Sequence, residues 1–201
     1  LSLTDCRNVT MSNCTFQDNN KGFVFNNVSE YTIDGSITVS NASNGYEMNS
    51  CGFADIESLA SVANGGHGGV VSSARVITML ACAANANTAD GMNVTSLSDS
   101  LISIETSSNG GQGIEFVSGN DNVLVLAPLA NSNTSDGIKL TATSDNCKII
   151  GGNIESNGGY GVNIAASTCD STIITGNTFA SNSTAAANDS GTGTVIRANV
   201  G

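Results

Sequence analysis

The side chains best suited to acid–base and sugar-binding chemistry recur at one kind of place, directly before a glycine. Asp90 precedes Gly91 and Asp136 precedes Gly137, while His67, Gln112 and Tyr160 stand in the same way before Gly68, Gly113 and Gly161. Two carboxylates facing each other across a glycosidic bond can act as general acid and general base of an inverting hydrolysis when they lie roughly 6.5–9.5 Å apart. An amide, an imidazole and a phenol beside them could pair with sugar hydroxyls. Asp90 and Asp136 are therefore the candidate catalytic residues, and His67, Gln112 and Tyr160 the candidate binding residues. Whether they meet depends on the elements that carry them.

Those elements are copies of one unit. Gly22, Gly45, Gly68, Gly91, Gly113, Gly137 and Gly161 follow one another at intervals of 22 to 24 residues. Four residues before each comes Asp18, Asn41, Asn64, Asn87, Asn109, Asn133 or Asn157. After most of the glycines runs a triplet with apolar ends and a variable centre, as in Phe23-Val24-Phe25, Tyr46-Glu47-Met48, Ile114-Glu115-Phe116 and Val162-Asn163-Ile164, which is the period of a half-buried strand. Gly69-Val70-Val71 is a degenerate copy. In most units two further apolar runs lie upstream of the Asn, one clear (Tyr31-Thr32-Ile33, Ile102-Ser103-Ile104, Leu124-Val125-Leu126) and one patchier (Ile37-Thr38-Val39, Thr178-Phe179).

Three short strands in about 23 residues, with no room for a helix, describe one turn of a three-faced solenoid. The glycine is expected to supply turn conformations closed to residues with a Cβ, and the Asn to tolerate the left-handed region. Asn stacked on Asn can also form an amide ladder. On this frame Asp90 and Asp136 are two coils apart, roughly 10 Å, with Gln112 between them. The strand centres Val24, Glu47, Asn93, Glu115, Lys139 and Asn163 form a second column, in which Glu115 and Lys139 should make an exposed ion pair of little value in water.

The strings Gly152-Asn153-Ile154-Glu155-Ser156-Asn157 with Gly161-Val162-Asn163-Ile164, and Gly176-Asn177-Thr178-Phe179-Ala180-Ser181-Asn182, resemble right-handed parallel β-helix repeats of the pectin-lyase-like superfamily. The resemblance implies an all-β fold, a single-stranded right-handed parallel β-helix of about eight coils with three short strands per coil. It is weak for function, because such helices host many unrelated activities, from pectate lyases and uronan epimerases to adhesins and phage tailspikes. The chain 1–201 reads as a single β-helix domain with 183–201 an irregular C-terminal coil or cap. Because neither a signal-peptide pattern nor an N-terminal cap is visible, it also reads as a segment of a longer chain.

Gly66-His67-Gly68 and Asn133-Thr134-Ser135-Asp136-Gly137 resemble two polygalacturonase motifs, but the order of the two is reversed, Ser135 is an insertion, and neither a paired Asp-Asp nor an Arg-Ile-Lys accompanies them. A calcium-dependent lyase would need clustered carboxylates and a basic residue, and Asp34, Asp55, Glu57 and Glu105 fall on several coils. The six cysteines show no CxxC or metal-ligand spacing. Cys147 and Cys169 could face each other as a disulfide or as stacked thiols, the remainder reading as small buried hydrophobes. No metal and no cofactor is expected.

Seventeen acidic against six dispersed basic residues, a formal charge of −11, argue against nucleic acid as a partner. Scattered apolar runs argue against membrane insertion. The first functional expectation is a glycan-contacting β-helical module of a viral tail spike or fibre or of a surface adhesin, located on a virion or an extracellular or cell surface. Cell-surface polysaccharide is the expected partner, and the tailspike resemblance implies a homotrimer. The alternatives are a polysaccharide-processing hydrolase or lyase using Asp90 and Asp136, and a purely structural spacer.

Overall fold

The computed structural model describes residues 1–201, and every regular element in it is a β-strand. Strands pair only with the equivalent strand one coil before or after, always in parallel, as Phe23–Asn26 does with Tyr46–Asn49. The first face is a nine-stranded sheet running from Ser2–Thr4 to Ala185–Asp189, so the solenoid has nine coils. The second face starts with Arg7–Ser12, Ser29–Asp34 and Gly52–Glu57, and the third with Thr15–Gln17, Ile37–Val39 and Ala60–Val62. These two faces merge into one sixteen-stranded sheet because Arg75–Asn85 and Ser98–Ser107 run round the corner between them as single long strands.

Residues 183–201 continue the ladder as its last coil. Ala185–Asp189 pairs with Tyr160–Ile164, and Val195–Arg197 pairs with Ile173–Thr175. The period was hidden there because Ala186 stands where the repeat glycine is expected, and small or polar residues replace the apolar triplet.

Alternation of side chains along each strand sends one set into the prism, where 38 buried residues form a single apolar column. At its N-terminal end the column is aromatic: Phe23 stacks on Tyr46 with ring centroids 5.5 Å apart, and Phe25 meets Tyr31 edge-on. This explains the degenerate triplet at Gly69. That glycine pairs in register with Tyr46, and a Cβ on it would run into the Tyr46 phenol ring, so the missing side chain makes room for a large one.

Two expectations about the turns change. The repeat glycines do not adopt left-handed conformations; they sit where coils approach most closely. A Cβ on Gly91 would lie 2.6 Å from the Gly113 carbonyl oxygen and 2.8 Å from the Asn109 side-chain nitrogen. Nor do the repeat asparagines take the left-handed φ. It falls on the residue before each of them, among them Ser40, Ala63, Ala86, Ser108, Ser132 and Ser156, which leaves the Asn side chain free to point inward and bond.

It does so coil after coil. Asn41, Asn64, Asn87, Asn109, Asn133 and Asn157 each donate Nδ2 to the Oδ1 of the next, ending at Asn182, with distances from 2.9 to 3.1 Å. Each Oδ1 from Asn64 onward also accepts the backbone N–H of the ladder asparagine one coil before it, as Asn109 does from Asn87 at 3.0 Å. Nδ2 of Asn109 donates in addition to the Ala84 carbonyl at 2.9 Å. Asp18 does not belong to this ladder. Register there shifts by one, and Asn19 is the member that enters it, its backbone N–H donating to Asn41 Oδ1 at 3.0 Å.

Candidate functional site

The residues before the repeat glycines do form one line. Backbone bonds link them coil to coil: Gly45 N–H to the His67 carbonyl, Gly68 to Asp90, Gly91 to Gln112, Gly113 to Asp136, and Gly137 to Tyr160. Asp90 and Asp136 are thus two coils apart with Gln112 between them, a separation of roughly 10 Å from the inter-strand step.

What the sequence did not disclose is how the line is held. Asn44 Oδ1 accepts the His67 N–H at 2.9 Å, and His67 Nδ1 accepts the Asp90 N–H at 3.2 Å. Asp90 Oδ1 in turn accepts the Gln112 N–H at 2.8 Å, and Asp136 Oδ1 the Tyr160 N–H at 2.7 Å. The second carboxylate oxygens are also engaged. Asp90 Oδ2 accepts from Asn93 Nδ2 and lies 3.2 Å from His67 Nδ1, while Asp136 Oδ2 accepts from Asn163 Nδ2 at 2.8 Å. Both aspartates are largely buried by these contacts.

Burial alone would push the Asp90 carboxyl upward. When His67 is protonated its Nδ1–H is given to the Asp90 carboxylate in place of accepting the Asp90 N–H, and this bond and charge, with the bonds from the Gln112 backbone and Asn93, outweigh burial and hold the carboxyl below its ordinary value. That tuning is opposite in sign to what a general acid needs. By contrast, the Gln112 amide and the Tyr160 hydroxyl make no hydrogen bond within the chain, and His67 is partly open to solvent.

Beside this ridge runs the strand-centre column, in the expected register from Val24 through Glu47, Asn93, Glu115 and Lys139 to Asn163. Lys139 Nζ lies 3.5 Å from Glu115 Oε1, and Lys21 pairs with Glu47 at 2.7 Å. Asn44 reaches Glu47, Asn93 reaches both Asp90 and Glu115, and Asn163 reaches Asp136, so the two columns are laced into one polar strip.

All six cysteines are free thiols. Cys147 and Cys169 do not stack, because Lys148 pairs with Ile173 and the residue one coil on from Cys147 is Thr172. Burial raises Cys82 to about 11 and Cys147 to about 12, which leaves both as unreactive core thiols.

A second surface escaped the sequence reading. On the outer side of the second face Thr32 pairs with Asp55 and Asp34 with Glu57, so three carboxylates expected to be spread over several coils occupy two adjacent ones. Beside them Phe53 is 63% exposed, the most open of the six phenylalanines. The signal for it was present: Gly52-Phe53-Ala54-Asp55-Ile56-Glu57 alternates so that Ala54 and Ile56 point inward and Phe53, Asp55 and Glu57 outward.

A family model described as "Right handed beta helix region" matches residues 48–200. Among solved structures the chain is similar to the A-module of mannuronan C-5 epimerase AlgE6 of Azotobacter vinelandii, with a TM-score of 0.89 and 19% identity over 96% of this chain and 58% of that one. It is similar also to a single-site mutant of the periplasmic alginate epimerase AlgG, at a TM-score of 0.86 and 17% identity over 95% of this chain and 50% of that one. ORF18 of Geobacillus virus E2 shares the fold at a TM-score of 0.53 and 11% identity, over 94% of this chain and 53% of that one. The chain thus spans about half the length of each of these structures. No curated protein sequence matches it.

Proposed function

The chain belongs to the right-handed β-helix family, and from that premise we propose that it is a glycan-contacting module whose contact line is the turn ridge of His67, Gln112 and Tyr160. One observation carries this reading: on the ridge the carboxylates are consumed by internal hydrogen bonds, while the residues alternating with them keep free polar atoms. His67, Gln112 and Tyr160 recur every second coil, a step of roughly 10 Å. That step is about the length of a disaccharide in an extended polysaccharide, so one repeat of the polymer would meet one polar side chain. Asp90 and Asp136, on the same line, fix the backbone of the residue that follows in the next coil.

The module is displayed, in this reading, on a viral tail spike or fibre or as part of a surface adhesin, and assembles as a homotrimer of parallel prisms on cell-surface polysaccharide. The similarity to two alginate epimerases and to a viral protein is compatible with it through the fold alone. The enzyme alternative, with Asp90 and Asp136 as acid and base, draws on their shared line and two-coil spacing.

Calorimetric titration with a panel of surface polysaccharides tests the proposal. Binding should be lost in a His67→Ala/Gln112→Ala/Tyr160→Ala triple variant of unchanged thermal stability, with no reducing-sugar release by the parent protein. Sugar release abolished by Asp90→Asn and Asp136→Asn would establish the hydrolase instead. Binding to no glycan would leave the spacer, and a lone monomer by light scattering would remove the trimeric arrangement.

A further inference from the structure

The outer side of the second face carries a groove that the ridge does not use. One hollow of about 350 Å³ is lined by Thr10, Glu30, Thr32, Phe53 and Asp55 among others. A second, of about 400 Å³, is lined by Thr32, Asp34, Asp55, Glu57, Thr78 and Leu80 together with Ile56. They share Thr32 and Asp55, so they form one continuous trough across the first four coils. Its wall holds four carboxylates and several hydroxyls, and no Lys, Arg or His lines either hollow. The nearest cations along the strands, Arg7 and Arg75, occupy the positions just before Asn8 and Val76, at the two coils bordering those of Glu30 and Phe53.

Phe53 is the anomaly that points to a ligand. The remaining five phenylalanines are buried or half-buried against the core, so packing does not call for an exposed ring here. Its backbone is left-handed, as is that of every neighbour in a column that includes Asn8, Glu30, Val76, Asp99, Asn122 and Asn146; what sets Phe53 apart is the exposed aromatic ring, since Val76, the other apolar member, is 37% exposed. Every other coil could offer such a position to a sugar, and only this one presents a flat apolar face, with hydroxyls and carboxylates ranged beside it.

We propose that this trough binds an amino-sugar polysaccharide through its free ammonium groups, one pyranose ring packing on Phe53 while Glu30, Asp34, Asp55 and Glu57 hold the cationic nitrogens. Charge decides the class. A uronan would bring carboxylates against four carboxylates of the wall, whereas an ammonium-bearing chain meets charge-assisted hydrogen-bond acceptors at each step. The face is independent of the His67, Gln112 and Tyr160 ridge, so the two sites can be broken separately.

The test is isothermal titration of the full chain with three oligomers of equal length: glucosamine, N-acetylglucosamine and mannuronate. The glucosamine oligomer should bind at least tenfold more tightly than its N-acetylated counterpart, and the mannuronate oligomer should not bind. Phe53→Ala should weaken glucosamine binding at least tenfold with the circular dichroism spectrum unchanged, Asp55→Asn should weaken it severalfold, and Asp170→Asn, at an exposed carboxylate on a distant coil, should bind as the parent does. Equal affinity for the acetylated and free-amine oligomers would overturn the charge argument. Affinity unaffected by Phe53→Ala would overturn the site, showing only general attraction of a polycation to an acidic chain, and no binding of glucosamine would overturn the proposal outright.

Discussion

The asparagine ladder and the ridge lie on the same turn, three residues apart, and use the same device with opposite tolerance. At Asn64 and at His67 alike, the side chain accepts a main-chain N–H one coil away, from Asn41 and from Asp90, and in both lines the partner lies at the inter-strand step. In the ladder each Asn is both donor and acceptor, sealed from water, and only a carboxamide can satisfy the amide above, the amide below and a carbonyl at once, with Gln one methylene too long for the same step. On the ridge only an acceptor is required, and water covers any deficit. Asn44, His67, Asp90 and Asp136 all serve. A solenoid can therefore keep its architecture fixed by one line of side chains and vary its surface on a neighbouring line.

The sharpest way to break this contrast is to remove one ladder member. In Asn109→Leu, the backbone and side-chain N–H groups of Asn87 lose the Asn109 oxygen, and the Ala84 carbonyl and Asn133 Oδ1 lose its Nδ2, all in the dry interior. Asn87 Nδ2 keeps the Ser61 carbonyl and Asn133 Oδ1 keeps the residue-109 backbone N–H, so the main losses are the Asn87 N–H and the Ala84 carbonyl. At about 1–3 kcal/mol for each such buried group, a loss of about 2–6 kcal/mol is expected, measured as a fall in the urea unfolding free energy. The next largest effect comes from Gly91→Ala, whose methyl would collide with the Gly113 carbonyl and the Asn109 amide. Overpacking of this kind costs about 1–3 kcal/mol, read in the same denaturation assay. If either substitution proved neutral, the ladder would be no less tolerant than the ridge.

The same contrast explains what could be read from the sequence. About eight of the nine coils, parallel pairing and the Asn line were legible because interior positions admit few residue types, so the period survives in the letters. The role of the repeat glycine was not, since a close approach and a left-handed turn both select glycine, and only coordinates separate Gly91 from Gly119. The line of Asp90, Gln112 and Asp136 was legible by counting, but the occupation of the carboxylate oxygens was not, because it depends on Asn93 and Asn163 leaning across from the next column. Phe53 was overlooked for the opposite reason: an aromatic in a strand ordinarily signals core, and its outward side was visible only once Ala54 and Ile56 were assigned inward. The last coil was obscured where Ala186 takes the place of the marker glycine.

A third substitution probes the ridge itself. Asp90→Asn keeps the acceptor for the Gln112 N–H and removes the charge, so the expected cost is about 1–2 kcal/mol, well below that of a ladder deletion. The pH dependence gives the signature. The folded-state carboxyl is held below the ordinary value of 3.8, so its stabilising contribution is complete above that value and is lost as pH falls through the lower, folded-state value. The parent and Asp90→Asn should therefore differ in unfolding free energy near neutrality, and the difference should shrink as the solution is taken below about pH 4. A difference independent of pH across that range would mean that the carboxylate charge contributes nothing at this turn.

The smallest effect is expected at the strand-centre column, and its smallness is what the comparison requires. Glu115 lies 3.5 Å from Lys139, with side chains 19% and 24% exposed, and its oxygens also accept from Asn93 and Thr141. Because Glu115 retains those neutral partners when the ammonium is removed, and because water screens the pair, a double-mutant cycle of Glu115→Gln and Lys139→Ala should give a coupling of about 0–1 kcal/mol that falls further at high salt, where the Debye length shrinks to roughly the separation of the pair. A coupling of several kcal/mol, insensitive to salt, would show that the open strip is bound as tightly as the ladder. In that case the outward lines would have little freedom to change their residues, and the division between a fixed interior turn and an adaptable surface would not hold.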